Sequence, residues 1–498
     1  MIDIKNLGDL FAVHRQSDRT VIIDLHDGDH PHEVSYREFD ASCNAVARAL
    51  VKRGLKSGDR VGLISSNRLE FLEVFFGAMR AGFVPVPINI EVPKSTIEWI
   101  ITDSYISLVF CGQRFEPLSP DFCEKIIFET DYEAFKDPGS FTAIVPQSDD
   151  IAFQPYTSGS TGRPKGVLLL HKAHVWVSQT IARDRRISPA DRMIVSAPLY
   201  HKNAMNAVKS VFVGGASLVL LPRFNARQYL NALHRYKATT LSGVPTIYAM
   251  LLRERELLIS DDVSQVRLLT VGGAPASDPL IDDLAEIFPS AEIVQIFGIT
   301  ETSAALFGPH PEGKPRPRHS IGWPIAGNEF SLIDGVDDHE GVLFVRSPGM
   351  MLGYYNNAEE TNRRLKDGWF ETGDILRRDA EGWYYFIDRA DDMFASGGNN
   401  IFPGQVETVL ERHPGIHQAV VVPVPDELKH RLPYAFVVQV NGAGLTEEEV
   451  KNYVLKNAAP YMHPRKVFFV SDLPLTGAGK IDRKALIKRA ADLAATPS

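Results

Sequence analysis

Hydroxyl, glycine and cationic residues are concentrated in one short stretch, residues 156–166, which reads YTSGSTGRPKG. Glycine lets the backbone approach an anion closely, and hydroxyl and backbone N–H groups donate hydrogen bonds to phosphate oxygens. Arg163 and Lys165 add positive charge. The stretch differs from the G-x-x-x-x-G-K-[ST] phosphate loop, because Pro164 and Gly166 stand where that loop needs glycine and a hydroxyl residue. We predict a phosphate-binding loop of another kind, against the alternative of a flexible Gly/Ser linker.

Further segments with glycine, carboxylate and cationic residues follow in a fixed order: QIFGITET at 295–302, ETGD at 371–374, IDR at 387–389, SGGNNIFP at 396–403 and PLTGAGKIDR at 474–483. One such segment would be a weak signal, whereas the ordered set is difficult to obtain by chance. Together with the loop, these segments resemble the superfamily of acyl-CoA synthetases, peptide-synthetase adenylation domains and firefly-type luciferases. The resemblance spans most of the chain.

The resemblance implies a ligase that uses ATP, Mg²⁺ and CoA. A carboxylic acid and Mg·ATP would give acyl-AMP and pyrophosphate, and the CoA thiolate would then displace AMP to form a thioester. The sequence offers no Ser–His or Cys–His arrangement for a covalent enzyme intermediate, so we expect direct transfer to CoA.

Three alternatives to this reaction stay open. They are a free-standing adenylation protein that loads a carrier protein, a luciferase-like oxygenase and a non-catalytic binding protein. The segment Leu199-Tyr200-His201 replaces the Phe-Asp motif with which adenylation proteins bind the ammonium of an amino acid. This difference favours an acid without an α-amine.

The resemblance also implies where the nucleotide binds. Asp374 is expected to accept hydrogen bonds from both ribose hydroxyls, and Arg389 to make a second ribose or phosphate contact. Phe297 stands where the family usually has a tyrosine against adenine, although it could equally belong to the core. The predicted ATP-binding residues are Thr157, Ser158, Gly159, Ser160, Thr161, Gly162, Gly273, Ala274, Pro275, Gln295, Ile296, Phe297, Gly298, Thr300, Asp374, Ile387, Arg389 and Lys480.

Five residues match the family's catalytic positions. Lys480, in a glycine-rich loop, would bridge the attacking carboxylate and the α-phosphate by charge and not by proton transfer. Glu301 would bind Mg²⁺, for which carboxylate oxygen is a suitable ligand, and Thr300 would donate to phosphate or carboxylate. His201 would separate the acyl pocket from the ATP site, and Lys165 would contact phosphate. The context of Lys480 also resembles that of lysines acetylated in bacterial acyl-CoA synthetases, which implies an acetyltransferase and a deacetylase as partners.

The acid-binding residues implied by the resemblance are His201, Asn206, Gly273 and Ile299. Asn206 falls at helical spacing with Lys202 and Lys209, on one face of a predicted helix. Such a face could hold a polar or anionic substrate tail. Because lysines are rarely buried, we expect both lysines to be solvated. The sequence does not identify the acid.

The same family implies a mobile C-terminal domain. Gly397 and Gly398 would line the path of the CoA pantetheine, and Asp392 aligns with the hinge about which the domain rotates between steps. We predict that residues 1–391 form the adenylate-forming domain, with a β subdomain at roughly 320–391. Residues 392–498 would form the lid.

Alternating helix-like and strand-like stretches predict an α/β fold. Residues 35–53 have the pattern of an amphipathic helix, 59–65 and 84–88 that of strands, and 69–81 that of the helix between them. Such alternation favours mostly parallel sheets covered by helices. From about residue 320, short strands between Asp/Gly turns indicate a β subdomain, and the last segment of about 110 residues suffices for a small α+β domain.

Composition limits the partners. The 498-residue chain has 44% hydrophobic and 23% charged residues, as globular proteins do, and its net charge of −9 argues against a nucleic-acid partner. Its three cysteines show no metal-ligand spacing, and we find neither a leader peptide nor an apolar stretch of about 20 residues. We therefore expect a cytoplasmic protein without a transmembrane segment, and an oligomer stays open.

Overall fold

The computed structural model describes residues 4–495 apart from Asp29, 158–162, Asp261, Asp338, Gly397, Glu427, Asn441 and 477–478. Its α-helices are α1 (Tyr36–Lys52), α2 (Leu69–Arg80), α3 (Lys94–Asp103), α4 (Tyr132–Phe135), α5 (His171–Asp184), α6 (Lys202–Gly214), α7 (Ala226–Tyr236), α8 (Pro245–Arg253), α9 (Arg255–Leu258), α10 (Asp278–Ile287), α11 (Ala358–Arg364), α12 (Pro403–Glu411), α13 (Glu447–Asn457) and α14 (Arg483–Ala495). Short 3₁₀ helices occupy Leu7–Asp9, Gln113–Leu118, Ala390–Asp392 and Pro460–Met462.

The strands are β1 (Thr20–Asp24), β2 (His32–Ser35), β3 (Arg60–Ile64), β4 (Val84–Pro87), β5 (Leu108–Cys111), β6 (Glu124–Ile127), β7 (Ile151–Phe153), β8 (Tyr156–Thr157), β9 (Lys165–Leu170), β10 (Arg192–Val195), β11 (Ser217–Leu220), β12 (Thr240–Gly243), β13 (Leu268–Gly272), β14 (Glu292–Ile296), β15 (Phe307–Gly308), β16 (Ser320–Pro324), β17 (Glu329–Asp337), β18 (Glu340–Arg346), β19 (Gly353–Tyr354), β20 (Leu365–Lys366), β21 (Trp369–Arg378), β22 (Tyr384–Arg389), β23 (Phe394–Ser396), β24 (Asn399–Ile401), β25 (Ile416–Asp426), β26 (His430–Gln439) and β27 (Lys466–Phe469).

The first helix shows how the sequence pattern determines local structure. α1 begins after Ser35, whose hydroxyl accepts a hydrogen bond from the Glu38 N–H while the Glu38 carboxylate accepts one from the Ser35 N–H. Its apolar face is buried and includes Phe39, Cys43, Val46 and Leu50. The prediction of an amphipathic helix over 35–53 is confirmed, and the helix is one residue shorter at each end.

Two helix-covered sheets form the N-terminal part of the molecule. The larger has the strand order β14-β13-β12-β10-β11-β1-β2 and is parallel except between β1 and β2. The smaller, β4-β3-β5-β6, is parallel throughout. The largest apolar core includes α1, α2 and α6 together with strands of both sheets. The predicted parallel α/β architecture is confirmed.

An antiparallel sheet follows in the chain. Its order is β15-β16-β22-β21-β18-β17, and β20 pairs with β21. The core on this sheet includes Leu306, Leu343, Val345, Leu376 and Tyr384. The change to short antiparallel strands agrees with the predicted β subdomain.

The C-terminal part is a small α+β unit. The sheet β25-β26-β27 has one apolar core against α12 and α13 and a second against α14. Among the described residues, the contacts between this unit and the rest of the chain include three polar ones: the Thr246 hydroxyl donates to the Gly479 carbonyl, the Gly404 N–H donates to Asp388 Oδ2 over 2.7 Å, and Arg253 Nη1 lies 2.8 Å from Asp472 Oδ1. In the part of the chain that the structure describes, no helix combines the length and apolarity needed to span a bilayer.

Candidate active site

Three parallel strands of the large sheet have their carboxyl ends on the same edge of the sheet, and a predicted site residue follows each of them. β10, β13 and β14 end shortly before His201, Gly273 and Glu301, respectively. In open α/β sheets, ligands bind outside the carboxyl ends of the strands. This edge is therefore the candidate site, and three residues that lie far apart in sequence meet there.

Lys480 reaches the same edge from the C-terminal unit. A Cβ atom added to Gly273 would lie 3.0 Å from Lys480 Cε, so the missing side chain of Gly273 leaves room for the lysine. The Gly273 backbone has φ of +82°, which also favours glycine. The surrounding protein, and then Arg389, lower the pKa of the Lys480 amine, while Asp374 raises it. Lys480 thus lies close to both of these charged groups.

Asp374 and Arg389 form a pair across two strands. They are direct partners in the β21–β22 register, and Arg389 Nη1 donates to Asp374 Oδ1 over 3.0 Å. Asp374 is 2% exposed, and its Oδ2 has no hydrogen-bond partner among the described residues. Burial raises the pKa of Asp374 to about 6, with Arg389 opposing the rise and Glu301 adding to it. A buried oxygen without a partner is costly, and a ligand hydroxyl could satisfy it.

Glu301 is held by a residue that the sequence analysis did not identify. The Tyr354 hydroxyl donates to Glu301 Oε1 over 2.8 Å, and the Met351 N–H donates to the Glu301 carbonyl over 2.8 Å. Tyr354 lies on β19, which pairs with β9 and so lies beside the predicted phosphate loop. The pairing joins residues far apart in sequence, and no local pattern around Tyr354 indicates it.

Lys165, at the start of β9, lies beside Tyr354. Its Nζ lies 4.7 Å from the centroid of the Tyr354 ring and 2.8 Å from Glu360 Oε1. Hydrogen bonds from Arg363 and Lys165 lower the pKa of Glu360 to about 2, so this carboxylate is ionised at neutral pH. Lys165 and Glu301 are therefore linked through one tyrosine. Glu360 was also missed by the sequence analysis.

His201 precedes α6 as a partly buried ring. The centroid of the Tyr200 ring lies 4.8 Å away, and His201 Nε2 is buried without a hydrogen-bond partner among the described residues. Burial, and then the charge of Lys480, lower the pKa of His201 to about 4. The imidazole is neutral at physiological pH and lies near Lys480.

The remaining predicted nucleotide residues line the same edge. Gly273, Ala274 and Pro275 form an exposed turn after β13. Phe297 is half-buried, with ring centroids 5.9 Å from Phe307 and 6.2 Å from Phe386, so the antiparallel sheet fixes its ring on one side. Among the other predicted residues, Gly298 is exposed, and the half-buried ones are Gln295, Ile296, Ile299, Thr300 and Ile387.

Several predicted residues belong to the loops. Ser158, Gly159, Ser160, Thr161, Gly162 and Gly397 lie outside the described residues. Thr157 ends β8, and its hydroxyl is buried without a described partner. Gly398 has φ of +84°, and no atom of the described residues other than its chain neighbours lies within 4 Å of an added Cβ. Asp392 is exposed and closes the 3₁₀ helix Ala390–Asp392.

The predicted solvation of the two helix lysines was wrong. Lys202 is 8% exposed and Lys209 is fully buried. Most other residues of α6 are buried as well. Asn206, between them, is 5% exposed. Helical spacing places residues on one face but does not show whether that face meets solvent, because other elements of the fold decide this.

A cavity of about 590 Å³ adjoins the site. It lies between the N-terminal part and Leu475, Thr476 and Gly479, next to Lys480, and Tyr200 and Thr246 contribute to its wall. Its lining carries both signs of charge, with Arg68, Arg114, Arg223, Glu91 and Glu129. Arg68 is paired with Glu70 and Glu129.

Comparisons with known proteins agree with this geometry. Residues 11–355 match the family model described as AMP-binding enzyme, and residues 405–480 match the one described as AMP-binding enzyme C-terminal domain. The feruloyl-CoA synthase of Amycolatopsis sp is 29% identical over 455 residues, covering 90% of this chain and 92% of the relative.

Two solved structures overlay along nearly the whole chain. The anthranilate CoA ligase AuaEII in complex with anthranoyl-AMP is 27% identical with a TM-score of 0.89, covering 99% of this chain and 98% of that one. ATP-bound MatB from Rhodopseudomonas palustris is 27% identical with a TM-score of 0.89, covering 98% of this chain and 99% of that one.

Fold, motifs and family models define an adenylate-forming ligase. The chain belongs to the AMP-binding enzyme family, as the ordered segments predicted. It is an AMP-forming acid–CoA ligase: it activates a carboxylic acid as acyl-AMP with release of pyrophosphate and transfers the acyl group to CoA.

Proposed function

We propose that acyl-AMP forms in the cleft between the β13–β14 edge and Lys480. The carboxylate of the acid attacks the α-phosphate of ATP, and pyrophosphate leaves. The observation that carries this proposal is the convergence of Lys480, Asp374 and Arg389, which couple electrostatically although they come from separate parts of the chain. Lys480 neutralises charge that develops at the α-phosphate, and this electrostatic contribution requires no proton transfer.

The nucleotide is held by the surrounding backbone and side chains. Asp374 Oδ2, which has no partner among the described residues, is suited to accept a hydrogen bond from a ribose hydroxyl. Arg389 orients the carboxylate by donating a hydrogen bond to Oδ1. Phe297, fixed from behind by aromatic rings, offers its other face to adenine. Lys165 and the hydroxyl-rich loop at 157–162 bind the phosphates.

Glu301 is the proposed ligand of Mg²⁺. The Tyr354 hydroxyl binds Oε1 and holds the carboxylate in place, and a carboxylate oxygen is a suitable ligand for this hard cation. When bound, the ion would neutralise negative charge on the ATP phosphates. Tyr354 is therefore a positioning residue. It also keeps Glu301 close to Lys165, whose amine lies over its ring.

Thioester formation requires a second arrangement of the C-terminal unit. Lys480 occupies the cleft in the present arrangement, whereas a Cβ added to Gly398 would have no atom of the described residues within 4 Å apart from its chain neighbours. We propose that residues 392–498 rotate about Asp392 against residues 1–391, so that Gly397 and Gly398 replace Lys480 beside the acyl-AMP. Arg114 and Arg223 in the wall of the cavity supply cationic groups for the CoA phosphates, and neutral His201 lies between the nucleotide and acyl sites.

One regulatory feature and the cellular location are also part of the proposal. Acetylation would remove the positive charge of Lys480 and so stop the first step, which makes this residue suited to reversible control by an acetyltransferase and a deacetylase. The cysteines Cys43, Cys111 and Cys123 are free thiols, which agrees with a cytoplasmic enzyme.

Protonation of Asp374 is expected to weaken ATP binding below about pH 6, because only the carboxylate has both oxygens free of protons for the ribose hydroxyls. Affinity should fall by up to about tenfold for each pH unit below this pKa. Calorimetric titration with ATP at several pH values measures the effect. Asp374→Asn should bind ATP more weakly at neutral pH and should lose the fall in affinity below about pH 6. Comparison of the two proteins cancels the titration of ATP itself. If Asp374→Asn kept the same fall in affinity, the titration would belong to another group.

The reaction is tested by acid-dependent exchange of labelled pyrophosphate into ATP, with and without CoA. We expect exchange without CoA for any acid that is a substrate, and net formation of AMP and acyl-CoA once CoA is added. A panel of short, branched, dicarboxylic, aromatic and medium-chain acids identifies the substrate. Exchange that strictly requires CoA would contradict an acyl-AMP intermediate formed before CoA reacts.

A further inference from the structure

A buried polar cluster extends inward from the active site along α6. It consists of Lys202, Asn206 and Lys209 on one face of that helix, and His174 from α5. Their exposed fractions are 8%, 5%, 0% and 0%, respectively. Amine, amide and imidazole groups are seldom buried in this number without an ionic partner, so the cluster requires an explanation.

The contacts connect the cluster to the reaction site. Lys202 Nζ donates to the Thr300 carbonyl and, over 3.4 Å, to the Ile299 carbonyl. These two residues immediately precede Glu301, and Lys202 immediately follows His201. One end of the cluster therefore adjoins the segments that surround the reacting carboxylate.

The other end is embedded in the core. Lys209 Nζ lies 2.9 Å from His174 Nδ1 and 4.9 Å from the centroid of the Phe153 ring. His174 Nε2 is buried without a hydrogen-bond partner among the described residues. This arrangement satisfies the lysine in part and leaves one ring nitrogen of the histidine unsatisfied.

Asn206 occupies the middle of the helix face with an unpartnered side-chain oxygen. Oδ1 is buried and makes no hydrogen bond to any described residue. The oxygen and nitrogen of an amide are assigned from their hydrogen bonds, so a ligand could meet either end of this side chain. A polar group that is more than nine-tenths buried and has no partner requires an explanation, and a bound ligand that is absent from the structure is one.

The charges in the cluster are unbalanced. Burial lowers the pKa of Lys202 to about 7, and Glu301 is the carboxylate that opposes this shift. Burial, and then Lys202, lower the pKa of Lys209 well below its usual range, and no described carboxylate offsets that effect. An anion bound beside Lys202 would stabilise its ammonium form, as an ion pair does in a low-dielectric interior.

We propose that the acid substrate carries a second carboxylate, which binds to Lys202 and the Asn206 amide while the first carboxylate reacts at the α-phosphate. The proposal rests on the adenylation site argued above and adds the class of substrate, a dicarboxylic acid. Lys209 and His174 lie deeper and contact each other, with Lys209 Nζ 2.9 Å from His174 Nδ1. An aliphatic or aromatic monoacid would leave the cluster unpaired and buried.

The test compares acids matched in carbon skeleton: succinate with butyrate, glutarate with valerate, adipate with hexanoate, and isophthalate with benzoate. The wild-type enzyme should favour the diacid of the productive length by about tenfold to a hundredfold in kcat/KM for pyrophosphate exchange. Lys202→Met should remove or reverse this preference. Lys172→Met, which removes an exposed lysine of α5, is the matched control and should keep it.

Calorimetric binding of the same acid pairs in the presence of AMP separates two kinds of failure. Absence of exchange with every acid would overturn the adenylation activity, whereas tighter binding of diacids that is lost in Lys202→Met would still support the second-carboxylate site. Equal or tighter binding of monoacids, or a diacid preference that Lys202→Met retains, would overturn the inference. Thermal unfolding of Lys202→Met, unchanged or raised relative to wild type, verifies that a loss of preference does not reflect loss of the fold.

Discussion

Replacement of Lys480 by alanine is expected to slow acyl-AMP formation by about 10²–10³-fold, the usual effect of removing one group that stabilises transition-state charge. Thioester formation from supplied acyl-AMP should proceed at close to the wild-type rate. The physical reason is the position of the amine, which lies over Gly273 and couples to Asp374 and Arg389 in the nucleotide cleft. This location suits contact with the α-phosphate, whose chemistry is complete once acyl-AMP has formed.

Single-turnover measurements of each half-reaction test the separation of steps. Lys484→Ala, which removes an exposed lysine of α14 from the same unit, should affect neither step. Stoichiometric acetylation of Lys480 should reproduce the alanine phenotype, and enzymatic deacetylation should restore activity. Equal slowing of both half-reactions by Lys480→Ala would show that the lysine acts throughout and would refute the alternating arrangement.

Gly398→Leu should have the opposite effect: acyl-AMP formation close to the wild-type rate and thioester formation slowed by about 10²-fold or more, as expected when a group obstructs the approach of the second substrate. In the present arrangement, no atom of the described residues other than its chain neighbours lies within 4 Å of an added Cβ at Gly398, so we expect the larger side chain to leave the adenylation cleft undisturbed. After rotation about Asp392, the same side chain would stand in the pantetheine path.

Backbone strain needs its own control, because Gly398 has φ of +84° and any side chain is disfavoured there. Gly398→Ala introduces this strain without bulk, and Gly442→Leu introduces both at φ of +81° in another turn of the C-terminal unit. Both should retain most thioester activity. If Gly398→Ala were as slow as Gly398→Leu, strain would account for the effect and obstruction would not.

The sequence predicted the parts of the site that depend on local segments. The amphipathic helix α1 and the alternation of strands and helices follow from hydrophobic periodicity. The pairing of Asp374 with Arg389 follows from two separately predicted segments that become neighbours in the antiparallel sheet. The family resemblance supplied the expected roles of these residues, which periodicity alone would not have indicated.

What the sequence could not predict depends on contacts between distant segments. Tyr354 meets Glu301 and Lys165 because β19 pairs with β9, and nothing local to Tyr354 indicates a partner so far away in the chain. The environment of Lys202 and Lys209 was predicted incorrectly for the same reason. Helical periodicity identified their common face, but the elements packed around α6 determine that the face is buried.

The measurement that tests the central claim most directly follows the carboxylate oxygen. The acid identified by the exchange panel is labelled with oxygen-18 in every carboxylate oxygen and incubated with ATP, Mg²⁺, CoA and enzyme, and the products are analysed by mass spectrometry. Attack of a carboxylate on the α-phosphate, followed by displacement of AMP by the CoA thiolate, predicts AMP with a single oxygen-18 atom, acyl-CoA with all the remaining label, and unlabelled pyrophosphate. Unlabelled AMP, or label in pyrophosphate or inorganic phosphate, would contradict activation through acyl-AMP.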